Sequence, residues 1–515
     1  MSANSNDPDQ SDKLKQHIDR ACAGGDPKYR AQLKKQGKLF VRERIRLFFD
    51  APTQVEDGLL AECLKGDLPA DGVVTGIGEV HGRPVALIAS DATVKAGSWG
   101  AKTVEKMIRL QETAMNLKIP LVVFEDAAGA RITDQIEVFP GRRHAGHIFY
   151  LMIKYSGVAP QLTVLFGPSP AGAAYVPAFS DAVIMVEGNA SAYLGSPRMA
   201  EMVIGEKVSL EDMGGARMHC TVSGLGDFLA SDEAEAIKLA REYLAYMPQN
   251  YLEKPPAFPK ASPASARALG DIVPDNANRP FDMYALIEAL ADAGSFLEMK
   301  KLFAPELITG FARLNGRVVG LLANQPKVKA GVIFNDSSDK GARFCFLCNA
   351  YNIPLLFLCD VPGFMIGSQV ERAGIIRHGA KFVAASAQAT VPKICVVVRK
   401  CYGAGLYAMG GPAFGADATL ALPSAQIAVM GPEAAVNAVY ANQIARLPET
   451  ERPAFVEQKR REYAEDIDVF RLASELIVDA VIPFERLREE LITRYAMYAN
   501  KDAPFSTRRN PVYPV

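Results

Sequence analysis

Thr75-Gly-Ile-Gly-Glu-Val-His-Gly-Arg-Pro-Val-Ala-Leu-Ile-Ala89 returns later in the chain as Thr309-Gly-Phe-Ala-Arg-Leu-Asn-Gly-Arg-Val-Val-Gly-Leu-Leu-Ala323, at a shift of 234 residues. Each copy reads as two apolar runs around a polar-glycine turn, His81-Gly82 or Asn315-Gly316, which is the pattern of a strand pair. The same shift carries Ile119-Pro120-Leu121 onto Ile353-Pro354-Leu355, Asp126 onto Asp360 and Gly129 onto Gly363. With a small adjustment Pro160 falls on Pro392, Tyr175 on Tyr407, Asp181 on Asp417 and Gly195 on Gly431. Matches in one order over this length imply two homologous α/β domains in tandem, each large enough to bury its own core.

Each copy also runs into a stretch of very small residues. Gly167-Pro-Ser-Pro-Ala171-Gly172-Ala173-Ala-Tyr175 follows the apolar run 162–166, and Gly403-Ala404-Gly405-Leu406-Tyr407 follows 394–398. Both runs begin just after a proline and read as buried strands. A strand that passes through tiny residues into a helix leaves backbone N–H groups open to a ligand oxygen, with no Cβ in the way. That is the geometry of an oxyanion hole, and the chain carries it twice. No Gly-x-Ser-x-Gly elbow, Walker sequence or convincing dinucleotide fingerprint accompanies it. Asp126-Ala-Ala-Gly-Ala-Arg131 and Asp360-Val-Pro-Gly363-Phe364 are loops at the carboxyl ends of further strands, where α/β layers bind ligands. A plainer role for Asp126 and Arg131 is to cap a helix and pair with each other.

The 515 residues are 49% hydrophobic with a formal net charge of −1, which marks a globular protein and argues against a large basic face for nucleic acid. No apolar run approaches the roughly 18 residues of a membrane span. The first residues, MSANSNDPDQSD, are polar and acidic rather than leader-like, so the expected location is cytoplasmic. The scattered cysteines fit free thiols in a reducing compartment. Cys345-Phe-Leu-Cys348 has the spacing of half a zinc site without a second pair, and His144 and His147 lack a third ligand, so no metal is expected.

Four segments are expected: a helical arm over 1–50, a first domain over 51–260, a linker rich in Pro, Ala and Ser over 261–280, and a second domain over 281–515. The arm has a helix start at Asp26-Pro27 and is densely basic over 28–46, which suits a solvated face, a subunit contact or a phosphate-bearing ligand. Ser231 is the expected N-cap of a helix over 231–246, and a Pro-rich segment ends the chain.

Gly37-Lys-Leu-Phe-Val-Arg-Glu-Arg-Ile45, Asp71-Gly-Val-Val-Thr-Gly76, Asp91-Ala-Thr-Val-Lys95, Glu137-Val-Phe-Pro140, Ala323-Asn-Gln-Pro326 and Ala425-Gln-Ile-Ala-Val-Met-Gly431 follow one another in this order. Together with the loops above they resemble the carboxyltransferase (β) subunit of biotin-dependent acyl-CoA carboxylases. The resemblance implies two crotonase-like (ClpP/crotonase) domains and a homo-oligomer, a hexamer, in which the first domain of one copy faces the second domain of a neighbour. It implies that Ala171, Gly172 and Ala173 are the catalytic backbone donors on the acyl-CoA side, and Gly403, Ala404 and Gly405 those on the biotin side. By the same resemblance Ala128, Gly129, Ala130, Arg131, Tyr175, Leu406 and Tyr407 bind substrate, and Gly363 and Phe364, with Gly403 and Ala404, bind the cofactor. Biotin would arrive as carboxybiotin on a separate biotin carboxylase/biotin carrier (α) partner, and its carboxyl group would pass as CO₂ to the α, or vinylogous γ, carbon of the acyl-CoA enolate. The biotin ureido group would take the proton, so no side chain need act as base.

The family's Ser-Gly-Gly-Ala-Arg loop reads Ala127-Ala128-Gly129-Ala130-Arg131 here, and the paired glycines of the holes are partly alanine. Backbone donors survive that change unless positive φ is required. Glu137-Val-Phe-Pro140, Asp91-Ala-Thr-Val-Lys95 and the Gly-Ala-Gly-x-Tyr407 turn look like methylcrotonoyl-CoA enzymes. Gly374-Ile-Ile-Arg-His-Gly-Ala-Lys381 looks like propionyl-CoA enzymes. The other readings are a sodium-pumping decarboxylase subunit, a crotonase-type hydratase or hydrolase without biotin, and a catalytically silent assembly subunit.

Overall fold

The computed structural model describes residues 10–52 and 55–501. The chain divides into two compact units that part between Glu253 and Lys254. In the first, Val73–Val80 and Arg83–Ser90 form the expected antiparallel pair, with Val80 opposite Arg83. His81 and Gly82 turn the chain between them with φ of 53° and 68°, the left-handed backbone that a tight two-residue hairpin requires. Val55–Asp57 pairs on the outside of Val73–Val80. From Arg83–Ser90 the sheet continues in parallel through Leu121–Glu125, Gln161–Leu165, Ala182–Val186 and Phe228–Ala230. The three central parallel strands are buried along their whole length, as a sheet covered on both faces demands. The helix Ala101–Leu117 turns Val104, Met107, Ile108 and Ala114 into one core with Ile88, Val123, Ile148 and Met152. Each such side chain contributes about 1.5–3 kcal/mol relative to exposure.

The second unit repeats the plan. Its sheet runs Leu297–Met299, Leu307–Leu314, Arg317–Asn324, Leu355–Val361, Lys393–Tyr402, Ala418–Ala421 and Ala480–Val481, antiparallel at first and parallel thereafter. The repeat holds at single hydrogen bonds. Thr75 Oγ1 donates to the Asp57 carbonyl at 2.8 Å, and Thr309 Oγ1 to that of Met299 at 3.0 Å. Trp99 bridges Ala130 in parallel, and Ile333, 234 residues on, bridges Phe364.

Three sequence expectations differ from the structure. Residues 261–280 are not a free linker: Leu269, Ile272 and Val273 are buried in the second unit's core, at the i, i+3, i+4 spacing of a helical face. The arm is not a separate body, because Arg44 is fully buried within the first unit. Asp232, not Ser231, caps the helix Glu233–Tyr246 by accepting the Glu235 N–H at 2.8 Å, while Ser231 bonds the Glu235 carboxylate. The expected Pro-rich end lies outside the described residues. Among those described, no helix is long and apolar enough to cross a membrane.

Candidate active site

At the end of the strand Leu121–Glu125 two adjacent carboxyls meet opposite environments. Asp126 receives Lys38 Nζ at 2.7 Å and Arg44 Nη2 at 3.1 Å. Arg44 also grips Glu233 at 2.6 Å and lies over the Phe166 ring at 4.4 Å, so the basic arm is tied to the strand end by a buried network. Glu125, fully buried, has no hydrogen-bond partner for either carboxyl oxygen among the described residues. Burial, with the Asp126 charge beside it, pushes its pKa up to about 8.

The loop that follows is hung on backbone bonds. The Ala127 N–H reaches the Pro168 carbonyl at 3.0 Å, Ala128 N–H that of Ala96 at 3.0 Å, and Arg131 N–H that of Trp99 at 2.9 Å. Gly129 has φ +86°, and a Cβ there would sit 3.4 Å from Pro170. Ala127 and Gly129 therefore lie against Pro168–Pro170, the strand that leads into the turn Ala171–Ala174, while Ala128 bonds Ala96 and Ala130 bridges Trp99. Ala171 has φ +53°, a left-handed backbone that costs an alanine about 1 kcal/mol. Ala171 and Gly172 are exposed and Ala173 is buried. The nearest atom to an added Cβ on Gly172 is on the Phe149 ring, 3.8 Å away, so the turn opens on free space. Its first N–H groups precede the following helix, where no intrahelical acceptor exists. Tyr175 is half exposed and stacks on Phe179 at 5.9 Å.

Asp126 and Arg131 do not pair with each other. Arg131 is held by Asp71 and by Ser98 Oγ at 3.2 Å. Beside the loop lies a cavity of about 1260 Å³, one wall of it the arm, with Lys28, Arg30, Lys38, Lys95 and Ala128 among its lining. The Arg30 guanidinium stacks on Phe40 at 3.8 Å.

The second unit builds the equivalent corner. Gly403, with φ +55°, donates its N–H to the Ala428 carbonyl at 2.9 Å and opens the helix Ala404–Ala408. A Cβ on Gly405 would lie 2.9 Å from Val361 and 3.2 Å from the Gly363 Cα, so this contact admits only glycine. Gly363 has φ +128° and accepts the Ile333 N–H at 3.1 Å, and Phe364 bridges Ile333 and packs against Gly379. Asp360, the repeat of Asp126, pairs with Arg399 at 2.6 Å, both fully buried. Tyr407 is half exposed and stacks on Phe414 at 4.8 Å; the Leu406 N–H bonds the Gly403 carbonyl at 3.1 Å. Ala171 and Gly403 both have positive φ, but Gly403, with ψ of −144°, takes a backbone that is essentially glycine's alone, so the two turns do not begin alike.

The structure thus brings Gly129 beside the residue that precedes Ala171, Gly172 and Ala173 in one unit, with Arg131 turned to Asp71 and Ser98, and brings Gly363 against Gly405, next to Gly403 and Ala404, in the other, with Phe364 against Gly379. A reading of the sequence by motif passes over the buried lysines Lys106 and Lys340. Lys106 Nζ donates to the Ala70 and Val73 carbonyls, and Lys340 Nζ to those of Lys300, Phe303 and Ala304. The 234-residue shift applied to charged positions finds them. His144 Nδ1 accepts the Gly141 N–H, and Cys345 and Cys348 are fully buried on the helix Asn335–Ala350. Among the described residues no cluster of three or more His, Cys, Asp or Glu is arranged to hold a metal ion.

A model of the carboxyl transferase domain matches residues 32–513. The chain belongs to the carboxyl transferase family. It is an acyl-CoA carboxyltransferase of the kind found in biotin-dependent carboxylases, and its fold is the crotonase fold in two copies. This carboxyltransferase is 62% identical to the uncharacterized carboxylase YngE of Bacillus subtilis (strain 168), over 97% of the chain and 98% of that protein. It is 38% identical to the propionyl-CoA carboxylase carboxyltransferase subunit of Haloferax mediterranei, over 96% of each. Among solved structures it is similar to transcarboxylase 12S, a hexamer with methylmalonyl-coenzyme A and methylmalonic acid bound, with a TM-score of 0.94, 36% identity and 100% of both chains covered.

Proposed function

We propose that this carboxyltransferase moves a carboxyl group to a short or branched acyl-CoA whose thioester oxygen is held by the Ala171–Ala174 turn, the nucleotide end lying in the cavity walled by the basic arm. The observation that carries the reading is the paired corner: two strand-end turns of very small residues, each starting at a residue of positive φ and each beside a glycine loop. An enolate oxygen would take backbone N–H groups already oriented, and one such donor is worth on the order of 10² to 10³ in rate. A Cβ on Gly363 would meet nothing nearer than the Tyr402 carbonyl at 3.8 Å, which leaves room for a flat ureido ring against Gly403, Ala404 and Phe364. Biotin, when bound there on its separate carrier, supplies the carboxyl group. In the first unit the chain's own work is to orient the thioester and exclude a competing acceptor.

Tyr407, with Leu406, would set acyl size, so that propionyl-CoA and methylcrotonoyl-CoA are the two candidate substrates. Exposed Met202, Val203 and Ile204 on Pro197–Ile204, and exposed Val439 on the repeat-related Pro432–Arg446, support assembly with further copies as a hexamer in which the first unit of one copy meets the second unit of another. The eight free cysteines suit a cytoplasmic setting.

Carboxyl exchange tests the reading. The purified chain, given malonyl-, methylmalonyl- or methylglutaconyl-CoA and biocytin, should decarboxylate one of them only when biocytin is present. Turnover of an acyl-CoA with water alone would favour a hydratase or hydrolase, and a folded oligomer inactive on all three would favour a silent assembly subunit. Tyr407→Ala should change relative kcat/KM across acyl lengths; unchanged ratios would remove Tyr407 from the pocket.

A further inference from the structure

The 234-residue repeat fails at three positions that lie together in space. Asp71, Gly100 and Arg131 of the first unit stand where the second has Pro305, Phe334 and Met365. In the first unit the three depend on one another. Arg131 Nη1 bonds Asp71 Oδ1, and Asp71 Oδ2 accepts the Thr103 N–H at 2.7 Å. A Cβ on Gly100 would fall 2.0 Å from Arg131 Nη1 and 2.9 Å from Asp71 Oδ2, so only glycine lets the ion pair close. In the second unit a phenylalanine takes that position, with Lys329 Nζ over its ring at 4.4 Å, and Met365 is exposed.

What surrounds the pair is kept in both units. Trp99 and Ala130, or Ile333 and Phe364, form the same bridge. Thr103 and Ser337 each take the N–H at the start of their helix, from Gly100 at 3.1 Å and Phe334 at 2.7 Å. Lys106 and Lys340 each cover the carbonyls of the preceding turn. The second unit therefore builds the same loop without a counterpart of the Asp71–Arg131 pair, its own ion pair there being Lys329 with Glu306 at 3.3 Å, and the fold does not require an arginine from the loop. Arg131 also leaves Nη2 buried and without a partner among the described residues, a cost that packing alone gives no reason to retain.

We propose that Asp71 and Arg131 are a positioning pair that fixes the 128–131 loop against the Ala171–Ala174 turn for the acyl-CoA side of the reaction. The assignment rests on the reading of the first unit as the acyl-CoA side. Asp71 acts at the loop through Arg131 and touches no reacting atom. Its φ of +50° suits asparagine as well as aspartate, so Asp71→Asn removes the charge while leaving the backbone undisturbed.

The test uses the full-length chain and two readouts. Trp99, the one tryptophan of the sequence, is buried and bridges the loop, so its fluorescence reports loop position without reference to activity. Asp71→Asn and Arg131→Met should shift the emission to the red and raise acrylamide quenching, with Arg131→Lys between them and the wild type. In biocytin exchange, kcat should fall about ten- to a hundredfold, as for a displaced reacting group, while KM for biocytin stays within twofold. Melting and oligomer mass on the same samples identify any unfolded variant. Should Arg131→Met not fold, Asp71→Asn and Arg131→Lys carry both readouts. Unchanged Trp99 emission, or kcat within twofold of wild type in folded Asp71→Asn, would overturn the proposal. A shifted Trp99 emission in a protein whose wild type shows no biotin-dependent exchange would retain the positioning pair and remove the acyl-CoA reading instead.

Discussion

Glu125 should make this protein less stable as the pH rises, and Glu125→Gln should abolish that dependence. The carboxyl is fully buried, its oxygens have no partner among the described residues, and its pKa is pushed from an ordinary 4.5 to about 8, by burial first and by Asp126 second. In the unfolded chain it ionises normally. From about pH 4.5 to 8 the folded state thus holds a proton that the unfolded state has released, and stability falls with rising pH by about 1.4 kcal/mol per unit. The deficit is absent below the unfolded value, about 3 kcal/mol at pH 7, and levels off near about 5 kcal/mol above pH 8. Glutamine keeps the shape and cannot titrate. The repeat supports the choice of an uncharged side chain, because Cys359, which holds the same place in the second unit, is equally buried. Calorimetric melting of both proteins at one concentration from pH 5 to 9 should show profiles that meet near pH 5 and separate by roughly 6–12 °C at pH 7 and above. Parallel profiles would mean that Glu125 is ionised in the folded state through a partner, and the reasoning from its isolation would be wrong.

Arg30→Ala should raise KM for an acyl-CoA about tenfold, the loss of one charge-assisted contact, while leaving KM for the matching acyl-pantetheine unchanged. An equal rise for both substrates would place the CoA phosphates elsewhere. Ala171→Gly relieves the left-handed strain at φ +53° and should raise the melting temperature by roughly 1–4 °C with biocytin exchange retained. Gly167→Ala sets a Cβ 1.9 Å from Asp126 Oδ1 and 2.8 Å from Lys38 Nζ, which breaks the tie between arm and strand. The expected cost is about 3 kcal/mol or more, read as a melting temperature lower by roughly 6 °C or more. A change under 2 °C would show that the network is slack.

How much of this was legible depended on the range of the interaction. The strand pairs at 73–90 and 307–324 were plain because alternation and a glycine turn are local signals, and both turns of small residues stood out because a run of Gly and Ala after an apolar strand is a signal of composition. The Arg44 network was not legible: its partners Asp126 and Glu233 are 82 and 189 residues away, and an arginine in a basic helix reads as solvated. Glu125 escaped for a related reason, since a carboxylate at a strand end reads as loop, and only burial on both faces makes it neutral. The core residues of 261–280 were hidden by Pro, Ala and Ser around them, although Leu269, Ile272 and Val273 carried helical spacing.

The duplication supplies a control that a single-copy fold lacks. Where both units keep a residue or an equivalent that only ties the backbone together, as with Lys106 and Lys340 or Thr103 and Ser337, the fold is sufficient reason for it. Where one unit has Asp71, Gly100 and Arg131 and the other has Pro305, Phe334 and Met365, the fold has been satisfied either way. The difference then belongs to what each corner binds, which is why the ion pair, rather than any fully repeated feature, is the place to look for chemistry specific to one side.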